Sequence, residues 1–190
     1  MKVCLSCGNY DRKFIKMVPG NIKGNEIENI YYCKHPDCNH LGNSIMIEID
    51  NLLVDTIVLL RKYNFETGHC CEGHWLSNSN KVSKSGYISF HVETYNGILY
   101  GQPNEVYDKL IKIIPDKIGI YNLLYEEVYG PRNAFDPVMI KKIVFRFEVE
   151  DKDYIYENLL EFEKHKMELW VEFYNILKTN IDDIVKEENK

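Results

Sequence analysis

Four cysteines near the N-terminus constrain this chain more than any other feature of its sequence. Cys4 and Cys7 lie in the segment CLSC, and Cys33 and Cys38 lie in the segment CKHPDC. Two thiols at such short spacing can bind one metal ion together, and two such pairs complete a closed tetrahedral shell. A segment of about 40 residues buries too little apolar surface to fold without a staple of this kind. The spacing therefore predicts a structural zinc site with these four cysteines as its ligands.

The 25 residues between Cys7 and Cys33 can form a hairpin that brings the two pairs together. The segments FIKMV and IENIYYC are typical of strands, and VPGNIKGN between them is typical of a turn. Residues 1–43 thus resemble a zinc ribbon, a module that binds nucleic acid or protein or simply caps a domain. The second pair has four intervening residues where two are commoner, so His35 or His40 can replace one thiolate. Reduced cysteines in a small core are the remaining interpretation.

Charge and composition limit the classes of function. The 190 residues include 29 acidic and 23 basic side chains, a net charge of -6, so the chain lacks the positive field of a non-specific duplex binder. A nucleic acid would have to be bound through a local patch or a specific pocket. No apolar run approaches the roughly 18 residues of a membrane span, and no signal-peptide core follows Lys2. We expect a cytoplasmic protein, in which paired cysteines are thiols or metal ligands rather than disulfides.

The residue usage also indicates an AT-rich coding genome. Isoleucine, asparagine, lysine and tyrosine are plentiful, whereas alanine occurs once, at Ala134. Such a bias is typical of a low-GC bacterium or its phage. If a phage encodes the chain, the expected compartment is the cytoplasm of the host cell.

Helical spacing of apolar residues predicts three helices in the remaining domain, residues 44–190. The first covers 47–63, and the second covers 104–114 and ends before Pro115. The third lies within 153–188, either as one helix that can exceed about 25 residues or as a bent pair of helices. A helix of that length either covers a sheet or contacts a protein partner or a second copy of the chain.

Alternating apolar and polar residues predict strands between these helices. Clear strands cover 86–95, 117–130 and 140–150, while the polar segment WLSNSNKVSKSG before the first of them predicts a flexible loop. The elements predict an α+β fold, with helices on one face of a mainly antiparallel four-stranded sheet. If the helices cover the face that carries Phe90 and Phe147, the opposite face stays open.

The segment FETGHCCEGH, residues 65–74, concentrates the reactive side chains of this domain. If it is extended, His69 and Cys71 face one way and Gly68 and Cys70 face the other. His74 follows a glycine at the end of this predicted strand. The segment lies where a strand leaves a sheet, which is a common place for binding and catalytic residues.

Other strands add polar side chains to the sheet face that the helices leave open. His91 and Glu93 come from one predicted strand, and Arg146 and Glu148 come from another. Together with His69, Cys71 and His74 they predict a polar ligand site of mixed charge.

Three interpretations of this cluster remain open. A second metal site could use His69, Cys71, His74 and His91, which are suitable ligand types without knuckle spacing. Alternatively, a cysteine activated by a histidine could act as a nucleophile. The third interpretation is structural, since small buried cysteines on strands are common and histidines beside glycines often cap turns.

The segment TGHCCEGH resembles the serine-rich strand-turn of the wybutosine tRNA methyltransferase family. That pattern has threonine, small polar residues and then Ser-Cys-Ser-Gly-Arg, which Thr67, Cys71 and Gly73 match by position. The two serines and the arginine are replaced by Cys70, Glu72 and His74. The resemblance implies a similar strand-turn and a nucleotide-like ligand. It does not extend to AdoMet use or methyl transfer, because the arginine is replaced.

The leading hypothesis is a zinc-binding protein whose α+β domain binds a nucleotide, a nucleic-acid end or a similar polar ligand at this turn. One alternative is a transferase or a metal- or cysteine-dependent hydrolase at the same site, with Glu93 or Glu148 as acid or base. Another is a phage-type interaction protein that inhibits a host factor through its acidic surface and its last helix.

Overall fold

The computed structural model describes residues 1–4, 7, 9–23, 26–36, 38, 46–73, 75–76, 81–82, 85–95, 98–131, 139–149 and 159–186. For residues 18–23, 26–29, 46–47, 69, 75–76, 81–82, 85, 93–95, 98–100, 131 and 139 the description covers the backbone alone. The strands are β1 Lys2–Cys4, β2 Ile15–Lys23, β3 Glu26–Cys33, β4 Met46–Glu48, β5 Thr67–Cys71, β6 Trp75–Leu76, β7 Lys81–Val82, β8 Ser85–Tyr95, β9 Ile98–Tyr100, β10 Lys117–Ile118, β11 Tyr121–Pro131 and β12 Met139–Val149. The helices are α1 Val54–Lys62, α2 Asn104–Ile113 and α3 Leu159–Lys186.

The N-terminal hairpin consists of β2 and β3. They pair antiparallel, with Ile15 opposite Cys33 and Met17 opposite Tyr31. The strand β2 continues into the segment in which the sequence predicts the turn, since it extends to Lys23, and β3 begins directly after that segment, at Glu26. The hairpin brings the start and the end of the cysteine-bearing segment together.

The short strands β1 and β4 are not predicted from the sequence. They pair antiparallel, with Val3 opposite Ile47, where the periodicity predicts the start of a helix. The helix α1 begins only at Val54, after a 3-10 turn over Asn51–Leu53. Val3 is fully buried in the core of the larger domain, so the N-terminal strand contributes to both parts of the chain. The boundary between residues 43 and 44 stays a prediction.

The main sheet is antiparallel and has the strand order β10, β11, β12, β8, β5. The fold is therefore α+β with a mainly antiparallel sheet, as predicted, and the short strands β9 and β10 extend its four longer strands. Gly119 divides the strand predicted over 117–130, because its φ of 58° lies in the left-handed region. This turn joins β10 to β11 as a hairpin.

The helices lie on one face of this sheet. Phe147 contacts Trp170 and Phe173 of α3, with ring centroids 5.3 and 5.1 Å apart. Phe90 contacts Tyr107 of α2 at 5.4 Å. These aromatic side chains are fully or almost fully buried, so the helices cover the face that carries Phe90 and Phe147.

The long C-terminal helix has 28 residues and packs against the other helices and the sheet. None of the helices in the described part of the chain is both long enough and apolar enough to cross a bilayer. The predicted loop after β5 contains a short hairpin, since β6 pairs with β7 through Trp75 opposite Val82.

Candidate metal centre and open sheet face

The sulfur atoms of Cys4, Cys7, Cys33 and Cys38 converge on one point. All four lie within 4.8 Å of one another. The Sγ atoms of Cys4 and Cys38 are 3.8 Å apart, and those of Cys7 and Cys33 are 3.6 Å apart. A tetrahedral ion with metal–sulfur bonds of about 2.3 Å requires neighbouring sulfurs roughly 3.8 Å apart. The four thiols thus have the positions that a metal ion of this kind requires.

Backbone hydrogen bonds hold both pairs in these positions. The Cys4 amide donates to the Asn9 carbonyl at 2.9 Å and closes the turn of the first pair. The Cys38 amide donates to the His35 carbonyl at 3.0 Å. This second turn takes up the longer spacing between Cys33 and Cys38, so four intervening residues still allow both thiols to reach the centre.

Further donors surround the sulfur of Cys33. The His35 amide lies 3.4 Å from this Sγ, and Asn9 Nδ2 lies 3.7 Å from it. Such donors stabilise a metal-bound thiolate. Burial raises the pKa of the Cys7 and Cys33 thiols, so the thiolates form readily only when a cation replaces the protons.

His35 has a packing role beside the centre. Its ring contacts the Phe14 ring edge-on, with the centroids 4.6 Å apart. The structure therefore brings together the four predicted cysteines, and the alternative in which His35 replaces a thiolate is not needed. His40, the other histidine considered, lies outside the described residues.

The open face of the main sheet carries the second group of predicted residues. The register aligns Cys71, Tyr87 and Arg146 side by side on β5, β8 and β12. The Arg146 guanidinium carbon lies 6.0 Å from the centroid of the Tyr87 ring. A half-exposed aromatic ring, a cation and a thiol therefore share one patch.

Carboxylates neutralise most of the charge of Arg146. Its Nη2 lies 2.9 Å from Glu126 Oε1, and its Nε lies 3.8 Å from Glu148 Oε1. Glu148 is predicted at this site from the sequence, whereas Glu126, which approaches from the neighbouring strand β11, is not. An anionic ligand would have to compete with both carboxylates, so this patch suits a ligand that also carries hydrogen-bond donors.

A β-bulge changes which residues of β5 face this patch. The pairing shifts between Thr67, opposite Phe90, and Cys70, opposite Ile88. A Cβ on Gly68 would lie 2.3 Å from His91 Nε2, which places Gly68 on the open face. Gly68 and Cys70 therefore face opposite ways, and the predicted strict alternation is wrong because the bulge inserts one extra residue.

Several predicted site residues lie beyond what the structure describes. His74 is outside the described residues, and so are the side chains of His69 and Glu93. His91 is on the open face, but it lies four residues along β8 from Tyr87, the partner of Cys71. At roughly 3.3 Å per residue this is about 13 Å, so His91 and Cys71 are not neighbours.

The two central thiols have environments that favour the protonated form. Burial, followed by the negative charge of Asp50, raises the pKa of Cys70 to about 11. Burial also raises the pKa of Cys71, although the Gly73 amide lies 3.4 Å from its sulfur. Near neutral pH both side chains are thiols, which is the weaker nucleophilic form.

The polar contacts of Glu72, which directly follows β5, are not predicted from the sequence. Its Oε1 lies 2.9 Å from Lys166 Nζ, and its Oε2 accepts from the Leu52 amide at 3.1 Å. Its carbonyl accepts from Trp170 Nε1 at 3.0 Å, and its amide donates to Asp50 Oδ2 at 3.0 Å. These contacts join the strand-turn to α3 and to the start of α1.

The sequence does contain one signal for this arrangement. Lys166 occupies an apolar position of α3, between the buried residues Phe162 and Leu169. A lysine in such a stripe requires a buried carboxylate partner. At Glu72 the central segment therefore has a structural role, because this residue joins the end of β5 to α3.

Comparison with known proteins finds no match for this chain. No protein-family model matches the chain, and no curated protein or solved structure matches it significantly. The resemblance of TGHCCEGH to the wybutosine tRNA methyltransferase family is therefore not supported by a family match.

Proposed function

We propose that this is a zinc-binding protein in which a Cys4 centre folds the N-terminal module onto an α+β domain. The observation that carries the proposal is the convergence of the four Sγ atoms within 4.8 Å. Four thiolates in a closed tetrahedral arrangement are typical of structural zinc, whereas catalytic zinc keeps an open position. The ion would supply folding free energy to the module rather than a reaction.

The metal is tested by elemental analysis of protein purified without chelator. We expect one zinc per chain, and Cys33→Ser should lose it, whereas Cys71→Ser should retain it. Cobalt substitution should give the visible absorption of a tetrahedral thiolate complex. Iron in place of zinc, or equal metal content in both variants, would contradict the proposal.

A second candidate function is the binding of a polar ligand such as a nucleotide or a nucleic-acid end on the open sheet face. It is supported by the grouping of Cys71, Tyr87 and Arg146, since an aromatic ring and a guanidinium can stack on a base. The carboxylates of Glu126 and Glu148 could accept from the amino groups of a base. His69, His74, His91 and Glu93 remain proposed contributors.

This candidate is tested by titrating the four nucleoside monophosphates into isotope-labelled protein and following the amide resonances. Binding should shift resonances of β8 and β12, and Arg146→Gln should abolish the shifts. Lys62→Gln is a matched control, because Lys62 Nζ also lies over a tyrosine ring, 5.7 Å from the centroid of Tyr63, on the helical side. No shift with any nucleotide would remove this candidate.

The two other hypotheses have weaker support from contacts. A cysteine-dependent transferase or hydrolase would need a thiolate at Cys71, whose pKa is raised by burial. A phage-type inhibitor of a host factor, or a homodimer, could use the apolar side chains that α3 exposes, among them Leu160, Met167 and Val171. Light scattering at several protein concentrations would detect the homodimer.

A further inference from the structure

A cavity of about 500 Å³ lies between the N-terminal module and β4, and two of its lining residues, Ile15 and Tyr31, pack against the cysteine cluster. The full lining consists of Met1, Lys2, Tyr10, Arg12, Ile15, Met17, Tyr31 and the acidic Glu48. Its volume is within the range of sites that bind small organic groups, roughly 300 to 1,000 Å³. None of the residues in the proposed sheet-face site contributes to it, so it is a separate feature of the molecule.

The walls of the cavity expose large apolar side chains. Tyr10 is 49% exposed and Met17 is 58% exposed, and both line this cavity. Tyr31 adds a second aromatic ring, which is half-buried against the cysteine cluster. Polarizable and aromatic surfaces of this kind suit a flat ring such as a nucleobase.

The two basic side chains at the cavity differ in whether a carboxylate already pairs with them. Lys2 Nζ is 3.3 Å from Glu48 and 4.2 Å from the Tyr31 ring centroid, so its charge is already paired. The exposed Arg12 guanidinium forms no ion pair with any residue that the structure describes. Arg12 is thus a cation next to an aromatic cavity, and its guanidinium can bind a phosphate.

Hydrogen bonds order the backbone around Tyr10 and Arg12 before any ligand binds. Asn9, directly before Tyr10, accepts from the Cys4 amide at 2.9 Å. Arg12 begins a 3-10 turn, and the Asp11 side chain caps this turn by accepting from the Lys13 amide at 3.0 Å. A preorganised site loses less conformational entropy on binding.

The distribution of charge favours this end of the molecule for a polyanion. Residues 1–43 carry six basic and four acidic side chains, whereas residues 44–190 carry 17 basic and 25 acidic ones. A phosphate chain is therefore repelled by most of the protein and attracted to the module.

We infer that the cavity binds a nucleotide unit of a single-stranded nucleic acid, with the base against Tyr10 and Met17 and a phosphate at Arg12. A base must leave its stack to enter a cavity, so a duplex is a poor ligand. The inference rests on the proposed metal centre, because Ile15 and Tyr31 pack against the cysteines and also line the cavity. Loss of the metal from a zinc-loaded sample should therefore weaken binding.

The test uses fluorescence anisotropy with labelled single-stranded 12-mers of DNA and of RNA, and with the duplex DNA as a comparison. We expect Tyr10→Ala to weaken binding about 5- to 150-fold, the range for loss of one stacked base. Arg12→Gln should reduce the slope of log Kd against log salt by about 0.7, the value for one phosphate contact. The DNA and RNA arms identify the source of the nucleotide.

Lys16→Gln is the matched control for Arg12→Gln. Lys16 is exposed and lies between Ile15 and Met17 on β2, so it points away from the cavity. Its loss should leave affinity within about twofold, since it removes only distant charge. Equal effects of the two variants, tighter binding of the duplex, or equally tight binding of a free mononucleotide would overturn the inference.

Metal analysis of every sample separates this inference from the proposed zinc function. Variants that keep one zinc but lose binding support the cavity site. If no sample contains metal and Tyr10→Ala still weakens binding, the zinc proposal fails while the cavity assignment stands. If zinc is present and no single strand binds, the cavity assignment fails alone.

Discussion

Gly86 in β8 is the residue at which a single methyl group has the clearest consequence. A Cβ there would lie 2.6 Å from the Trp170 ring and 3.2 Å from the Glu72 carbonyl oxygen. Trp170 is buried, so neither neighbour can move freely. Gly86→Ala should lower the free energy of unfolding by about 1 to 3 kcal/mol, the usual cost of overpacking. Gly130→Ala in β11 is the control, because its Cβ would meet only Lys142 Nζ at 3.8 Å. Urea denaturation compares the two, and equal stability would contradict the close contact.

The second prediction at this scale concerns the reactivity of Cys70. Its pKa of about 11, against an ordinary 9.0, makes the thiolate about 100-fold rarer at pH 8 than in an unfolded chain. Iodoacetamide should therefore modify Cys70 at least about 100-fold more slowly in the native protein than in urea. Peptide mapping after timed reaction would measure both rates. The rate should rise as the pH approaches 11. Rapid native modification would indicate an activated thiol and would favour the enzyme hypothesis.

The junction between β5 and α3 is the critical contact at the scale of elements. Glu72 pairs with Lys166, and both side chains are largely shielded from solvent. Glu72→Ala should lower the free energy of unfolding by about 3 to 5 kcal/mol, because it leaves a buried ammonium without its main partner. Glu163 is a matched control, since its half-exposed carboxylate also lies 2.9 Å from Lys166 Nζ. Glu163→Ala should cost about 1 kcal/mol or less. Denaturant titration would reveal whether the two costs differ.

The same ion pair predicts how stability depends on pH. Burial lowers the pKa of Lys166, but hydrogen bonds to Glu72 and Glu163 outweigh this effect and leave it raised. Because the pKa of Lys166 is raised by folding, the ion pair contributes fully to the free energy of unfolding below the pKa of an unfolded lysine, about 10.4. This contribution is lost as the pH rises through the pKa of Lys166 in the folded protein. The stability difference between the wild type and Lys166→Met should therefore stay constant from about pH 7 to 10 and change only above this range. Denaturant unfolding of both proteins at several pH values tests this prediction. A change in the stability difference near neutral pH would contradict it.

For the molecule as a whole, β1 connects the cysteine cluster to the main core. Cys4 is a predicted ligand, while the adjacent Val3 is fully buried in the core of the larger domain. Removal of the metal should therefore increase amide hydrogen exchange in β1, β3 and β4 by at least tenfold, whereas β12 should change little. Exchange measured by mass spectrometry before and after chelation tests this. A uniform increase across the sheet would mean that the centre stabilises the whole fold.

The sequence alone determined the features that depend on local spacing. Short intervals between Cys4 and Cys7 and between Cys33 and Cys38 identify the ligands, because each pair needs only one turn of backbone. Alternation over β12 identifies Phe145 and Phe147 as core residues, since successive side chains of a strand point to opposite faces. The long helix follows from its periodic apolar stripe for the same local reason.

Only the tertiary structure decided the contacts between distant segments. Glu72 and Lys166 are 94 residues apart in the chain, and the pairing of β1 with β4 joins segments more than 40 residues apart. The bulge near Gly68 reverses the expected alternation, and Glu126 reaches Arg146 from a neighbouring strand. No local period encodes such partners, because each depends on the register and packing of elements that meet only when the whole chain folds.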